Sequence, residues 1–257
     1  MFLLLNSNRI KKINMSGHSH FKTIKYRKEI TDKKRGKIFS KLSRVISIAA
    51  KEKGGDAAMN PSLKLAIEKA KEANMPKDNI EKAIKRGTGE LAGEKLEEVL
   101  FDAYGPEGVA IIIEGITDNT NRTLGEIKQA LNQHGGKLAN EGSVRWMFEK
   151  KGYIAIDAKS QTSTSKKEDL ELLAIEAGAD DALWHDDYLY VYTKPEELEK
   201  VKTSLEEKGI IIEDSSLDWI AKEKAETKPE SKEACLKLFE ALDELDAVQE
   251  IYSNIED

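Results

Sequence analysis

Apolar residues recur along the first third of the chain with the period of a helix. Ile38, Leu42, Val45, Ile46, Ala49 and Ala50 fall on one stripe, which predicts an amphipathic helix over 33–53. Gly54-Gly55 ends it. Asn60-Pro61 opens a second helix over 61–73, with Asn as cap and Pro pre-set for the first turn. Leu63, Ala66, Ile67 and Ala70 form its inner side. Asn74-Met75-Pro76 breaks that helix, and a third follows over 77–86, with Ile80, Ala83 and Ile84 inward and Gly87 at its end. Three helices with short connections predict a small bundle over 30–88.

From residue 96 the period shortens to that of strands. Residues 99–104 and 109–116 read as a hairpin across Gly105-Pro106-Glu107-Gly108. Asp118 to Thr123 caps a helix carrying Leu124, Ile127, Ala130 and Leu131, and 143–149 reads as a further strand. A second pattern follows: strand 153–157, helix 166–178, strands 182–185 and 188–193, helix 195–208, strand 210–219. That order, β-α-β-β-α-β, is ferredoxin-like. After a charged linker over 222–231 come a helix over 232–246 and a strand over 248–255, which have no sheet of their own and complete the one begun at 98. The expected fold is α+β: an N-terminal helical bundle plus two α/β (ferredoxin-like) domains, the third inserted in the second. The expected boundaries are an extension over 1–15, a basic arm and three-helix domain over 16–90, a central domain over 91–150 with 225–257, and an inserted domain over 151–224.

Charge separates these regions. Residues 1–89 hold 22 Lys+Arg against 8 Asp+Glu, and residues 90–257 hold 19 against 39, within a chain of net charge −6. The asymmetry predicts a basic binding module on an acidic body. The density peaks over 17–44, with Lys22, Lys25, Arg27, Lys28, Lys33, Lys34, Arg35, Lys37, Lys41 and Arg44 opposed only by Glu29 and Asp32. Lys34, Lys37, Lys41 and Arg44 recur in steps of three and four and line one face of the first helix, with no acid interleaved. This surface suits a polyanion, with nucleic acid as partner. Phe21 and Tyr26 stand among the cations, placed to stack on unpaired bases, although Phe21 equally suits a plug tying the arm to the body. His18 and His20 add contacts to phosphate or base. Mixed basic and aromatic surfaces favour RNA. Reversing Lys37, Lys41 and Arg44 to Glu is expected to abolish nucleic-acid binding and leave the fold intact.

Candidate chemistry is sparse. His18, His20, His134 and His185 make no metal spacing, and Cys235 sits at helical spacing with Leu238, Phe239 and Leu242, as a core residue does. Gly87-Thr88-Gly89 with Gly93 lacks the Lys-Ser/Thr ending of a phosphate loop. A helix-turn-helix over 61–86 would point Asp78 and Glu81 at the bases. The expectation is a protein that is not an enzyme, uses no cofactor and no metal, and acts as a monomer without a membrane partner. Residues 1–14 read as an extension ahead of Met15, which implies a cytoplasmic protein, or as part of a transit peptide, which implies a mitochondrial one.

The motifs resemble those of the YebC family, which includes the mitochondrial translational activator of cytochrome c oxidase. Gly17-His18-Ser19, Ile24-Lys25, Arg27-Lys28 and Lys34-Arg35-Gly36-Lys37-Ile38-Phe39 are similar to its opening motif. Ala73-Asn74-Met75-Pro76-Lys77-Asp78-Asn79-Ile80 and Lys85-Arg86-Gly87-Thr88-Gly89-Glu90 resemble its second signature. Tyr104-Gly105-Pro106, Thr117-Asp118-Asn119, Asn121-Arg122-Thr123 and Gly142-Ser143-Val144 resemble its third, and Val248-Gln249 with Tyr252 and Asn254 its closing strand. The family has Lys then Trp where His20 and Phe21 stand, and His in place of Tyr26. The resemblance implies a three-domain α+β protein without enzymatic activity. It implies a nucleic-acid partner: ribosomal RNA for a translation factor at the ribosome, or duplex DNA for a transcriptional regulator.

Overall fold

The structure is a computed structural model that describes residues 32–93, 95–161 and 167–256. It holds an α+β chain with three separate apolar cores. One compact unit takes in the described residues up to Trp146 and from Glu223 onward, and the second is Met147–Lys222.

The first core belongs to the helical bundle. Helix α1 (Asp32–Lys53), α2 (Pro61–Glu72) and α3 (Lys77–Gly87) bury Ile46, Ala49 and Ala50 against Leu63, Ala66, Ala70, Met75, Ile80 and Ala83. Asn60 holds the α1–α2 corner. It is fully buried; its side chain caps α2 by accepting from the Leu63 N–H at 3.1 Å and donates to the carbonyls of Ala49 and Gly54 at 2.8 and 2.9 Å. The α1–α3 crossing runs over small residues. A Cβ on Gly87 would stand 2.3 Å from the Ser47 carbonyl oxygen, and the Ser47 hydroxyl donates to the Ala83 carbonyl at 2.8 Å.

The second core lies under a four-stranded antiparallel sheet. Strand β1 (Glu97–Tyr104) turns through Pro106–Gly108 into β2 (Ala110–Thr117), and Glu97 pairs with Thr117 through to Tyr104 with Ala110. Helix α4 (Thr120–Gln133), capped by the Asn119 side chain, leads to β3 (Lys137–Leu138). The end of the chain adds α7 (Pro229–Asp243) and β8 (Val248–Ser253). The strand order is β3-β1-β2-β8. Ile111, Ile113, Ile127, Leu131, Leu238, Phe239 and Leu242 make the core between this sheet and its two helices. Asn254 extends the β8 pairing by exchanging two hydrogen bonds with Ala110, which gives that residue of the closing motif a structural role.

The second unit has strand β4 (Phe148–Asp157), α5 (Lys167–Glu176), β5 (Asp181–His185), β6 (Tyr188–Thr193), α6 (Leu198–Glu207) and β7 (Asp214–Ala221). The sheet is antiparallel, of order β5-β6-β4-β7. Ile154, Ile156, Leu189 and Val191 pack on Leu170, Ala174, Val201 and Leu205 of the two helices. Chain order and strand order together are those of a ferredoxin-like unit.

One element differs from the expectation. In place of separate strands over 143–149 and 153–157 there is a single strand, β4, and 143–147 forms turns and a short 3-10 segment. The fourth strand of the first sheet is the two-residue β3, which pairs with Ala103 and Tyr104. Gly152, between the two expected strands, is a site of close approach and not a turn. A Cβ there would lie 2.2 Å from the Thr193 hydroxyl oxygen and 2.9 Å from Leu198 Cβ. Glycine lets β4 run straight on beneath α6.

Candidate nucleic-acid interface

Helix α1 carries the described part of the basic segment. Its apolar stripe fixes its rotation in the bundle, and that fixes where the cations point. His18, His20, Phe21, Lys22, Lys25, Tyr26, Arg27 and Lys28 lie outside the described residues, and so does the 1–14 extension. Lys33 and Lys34 fall in the first turn of the α1 backbone, and Arg35 is exposed on the next position.

Lys37, Lys41 and Arg44 do not form a free row. They face the C-terminal end of α7 and the end of β2. The Lys37 ammonium lies 3.1 Å from the Glu244 carboxylate, and that of Lys41 lies 3.0 Å from Asp243. The Arg44 guanidinium donates to the backbone carbonyls of Ile116 and Asp246 at 2.9 and 3.1 Å. Lys51, two turns further along α1, donates to the Leu96 carbonyl at 2.8 Å. The bundle core and the sheet core share no residue, and these polar contacts, on the same α1 face as the buried Ile48, join α1 to the central domain. Asp118 records the same approach. Partial burial pushes its carboxyl up, but its own backbone N–H, Arg122 and Arg44 outweigh that and hold it below its usual range.

This corrects the expectation that the α1 row can be reversed without touching the architecture. Reversing Lys37, Lys41 and Arg44 to Glu would set three carboxylates against Asp243, Glu244 and two carbonyls. The helical bundle should then detach from the central domain with its own helices intact. Limited proteolysis should cut the 88–96 connection faster in the triple variant at unchanged helical circular dichroism, and an unchanged cleavage rate would refute the docking role.

Other cations emerge that no sequence pattern singles out. Lys82, Lys85 and Arg86 are exposed near the end of α3, and no ion pair engages them among the described residues. The Arg86 stem lies against Gly93, where a Cβ would come within 3.3 Å of it. Cations in a last helical turn also offset the helix dipole, so their position has a structural reason of its own.

Catalytic groupings fare differently. Among the described residues no three His, Cys, Asp or Glu side chains are placed to hold a metal. Cys235 is buried in the sheet core, and burial with the nearby Glu107 charge pushes its thiol up to about 11, which keeps it protonated and unreactive at neutral pH. His134 caps the C-terminus of α4, and His185 lies beside Asp186 at the β5–β6 turn. An open depression beside Tyr104, Gly105, Gly135, Gly136 and Lys137 offers one phenol and one ammonium, the latter 5.7 Å from the Tyr104 ring centroid. No described helix is long and apolar enough to cross a membrane.

Comparison with known proteins matches both parts of the chain. Residues 19–90 match the TACO1/YebC protein N-terminal domain, and residues 96–255 match the TACO1/YebC second and third domain. The chain belongs to the TACO1/YebC family. Proteins of Halothermothrix orenii and Persephonella marina, each called a probable transcriptional regulatory protein, are 46% and 47% identical to it. The alignments cover 94% of this chain and 95% and 96% of those relatives. A conserved hypothetical protein of Aquifex aeolicus, solved by crystallography, shares 44% identity and superposes with a TM-score of 0.81 over 88% of this chain and 91% of its own.

Proposed function

We propose that this protein is a non-enzymatic regulator of gene expression that binds RNA through its basic N-terminal region and acts at the ribosome as a translation factor. The regulatory part agrees with the names of its relatives. The observation that carries the reading is the concentration of ten cations over 17–44, seven of them outside the docked trio, in a chain that is acidic overall. Such a density on a helix-anchored support holds phosphates by counterion release. RNA is favoured over duplex DNA because α3, the second helix of the only helix-turn-helix pattern read in the sequence, offers no base-reading turn. The first turns of α3 carry Asp78 and Glu81, and Lys77 lies 3.6 Å from Glu81.

Replacing Lys22, Lys25, Arg27 and Lys28 with Ala should weaken binding to ribosomes and to labelled single-stranded RNA at unchanged thermal stability. The salt dependence of the affinity should become shallower by about 0.7 per lost phosphate contact. Undiminished co-sedimentation with ribosomes would refute the arm as the contact. Tight, sequence-dependent binding to duplex promoter DNA at physiological salt, beside weak RNA binding, would assign the protein to transcription instead.

A further inference from the structure

We propose that the acidic turn over 243–246 is a built-in competitor for phosphate, occupying the α1 cations until nucleic acid displaces it. The proposal rests on the reading that the basic region binds RNA, and it names a regulation of that surface.

Three observations carry it. First, the contact imitates a polyanion. Lys37 and Lys41 stand one helical turn apart, and each meets one carboxylate, Glu244 and Asp243, at 3.1 and 3.0 Å. Arg44, one further step along the same face, takes two carbonyl oxygens, from Ile116 and Asp246. Successive phosphates along a strand would present anionic oxygens to the same three cations.

Second, the acids run against local preference. Asp243 is the last residue of α7, Glu244 its cap, and the last turn holds no basic residue. Carboxylates at a helix C-terminus oppose the helix dipole, where cations are favoured. The last turn itself holds no cation, and α1, some two hundred residues earlier in sequence, brings Lys41 to Asp243.

Third, the latch can open. Among the described residues no apolar core spans the bundle and the sheet domain. Glu244 is 76% exposed and Asp243 34%, while Lys37 and Lys41 are 20% and 16% exposed, so solvent reaches the contact from the acid side. Ion pairs open to solvent on the acid side are partly screened by salt. A polyanion bound first by the arm would meet α1 at high effective concentration and compete with the two carboxylates for its cations.

The test compares the full chain with the D243N/E244Q variant and with E196Q/E197Q, which removes the same charge from the other compact unit. Affinity for a fluorescein-labelled single-stranded RNA is read by anisotropy. D243N/E244Q should bind about three- to tenfold tighter at low salt, as expected for freeing two modest ion pairs, with the gap closing as salt rises. E196Q/E197Q should change affinity much less. A carbodiimide crosslink between Lys41 and Asp243 should form in the free protein and be lost at saturating RNA. Equal tightening by both variants, or no tightening in D243N/E244Q while the arm variant still loses binding, overturns the competitor and leaves the RNA reading standing. If neither the wild type nor D243N/E244Q binds RNA, the RNA reading falls and the competitor falls with it. A crosslink that persists at saturating RNA would likewise overturn displacement.

Discussion

Replacing Asp102 with Ala should destabilise the central domain by about 3 kcal/mol, a scale set by breaking a buried ion pair from one side. Asp102 is 2% exposed on β1. One carboxylate oxygen accepts from Arg145 Nε at 2.8 Å and the other from the Val144 N–H at 3.3 Å. Arg145 also donates to the Leu100 carbonyl and reaches Glu141, so one buried acid holds the 144–145 turn against the sheet. Without it the Val144 amide loses its partner, while the guanidinium retains Glu141, the Leu100 carbonyl and solvent. The loss therefore falls at the low end of the range for a buried pair. Asp102→Asn keeps an acceptor for Val144 and should cost roughly half as much, the charge-assisted part alone. A denaturant midpoint gives the magnitude, and faster hydrogen exchange at Val144 localises it. Equal stability of wild type and Asp102→Ala would show that the pair has no net worth.

Asn60 is the second position where a single change should be severe. Its Ala variant loses the cap of α2, worth about 1 kcal/mol, and the two bonds donated to carbonyls in the corner where α1 meets α2, for a total of about 2–3 kcal/mol. The informative comparison is Asn60→Asp. At an ordinary helix start Asp caps as well as Asn. Here the carboxylate could still accept from Leu63, but it has no proton to give the Ala49 and Gly54 carbonyls, and it would face them as a buried anion. The Asn60→Asp variant should therefore be at least as unstable as Asn60→Ala. If Asn60→Asp instead melted like the wild type, the capping bond alone would explain the residue and the two donated bonds would be incidental.

Much of the fold is legible in sequence because its signals are local. The α1 stripe, the Asn60-Pro61 start, the Asn119 cap and the hairpin over Gly105 to Gly108 each depend on residues within a turn or two of one another. The ferredoxin-like order of the second unit follows from alternation and spacing. Strand β4 reads as two strands because a glycine between lysine and tyrosine carries the sequence signal of a turn. Its use as the residue that fits under Leu198 depends on a helix that lies far along the chain.

The interface shows the same division more sharply. Sequence alone determined that Lys37, Lys41 and Arg44 share a face of one helix, because helical period and an apolar stripe suffice for that. It also determined that basic charge is concentrated in the first third of the chain and acidic charge in the rest. Only the tertiary structure decided what the face meets. Asp243, Glu244 and the Ile116 and Asp246 carbonyls come to α1 from distant stretches of chain, and periodicity carries no information about contacts at that separation. A row of like charges without interleaved acids has the sequence pattern of an open surface. It is a docked one, because the neutralising acids sit at the end of another helix and are brought there by the packing of the chain.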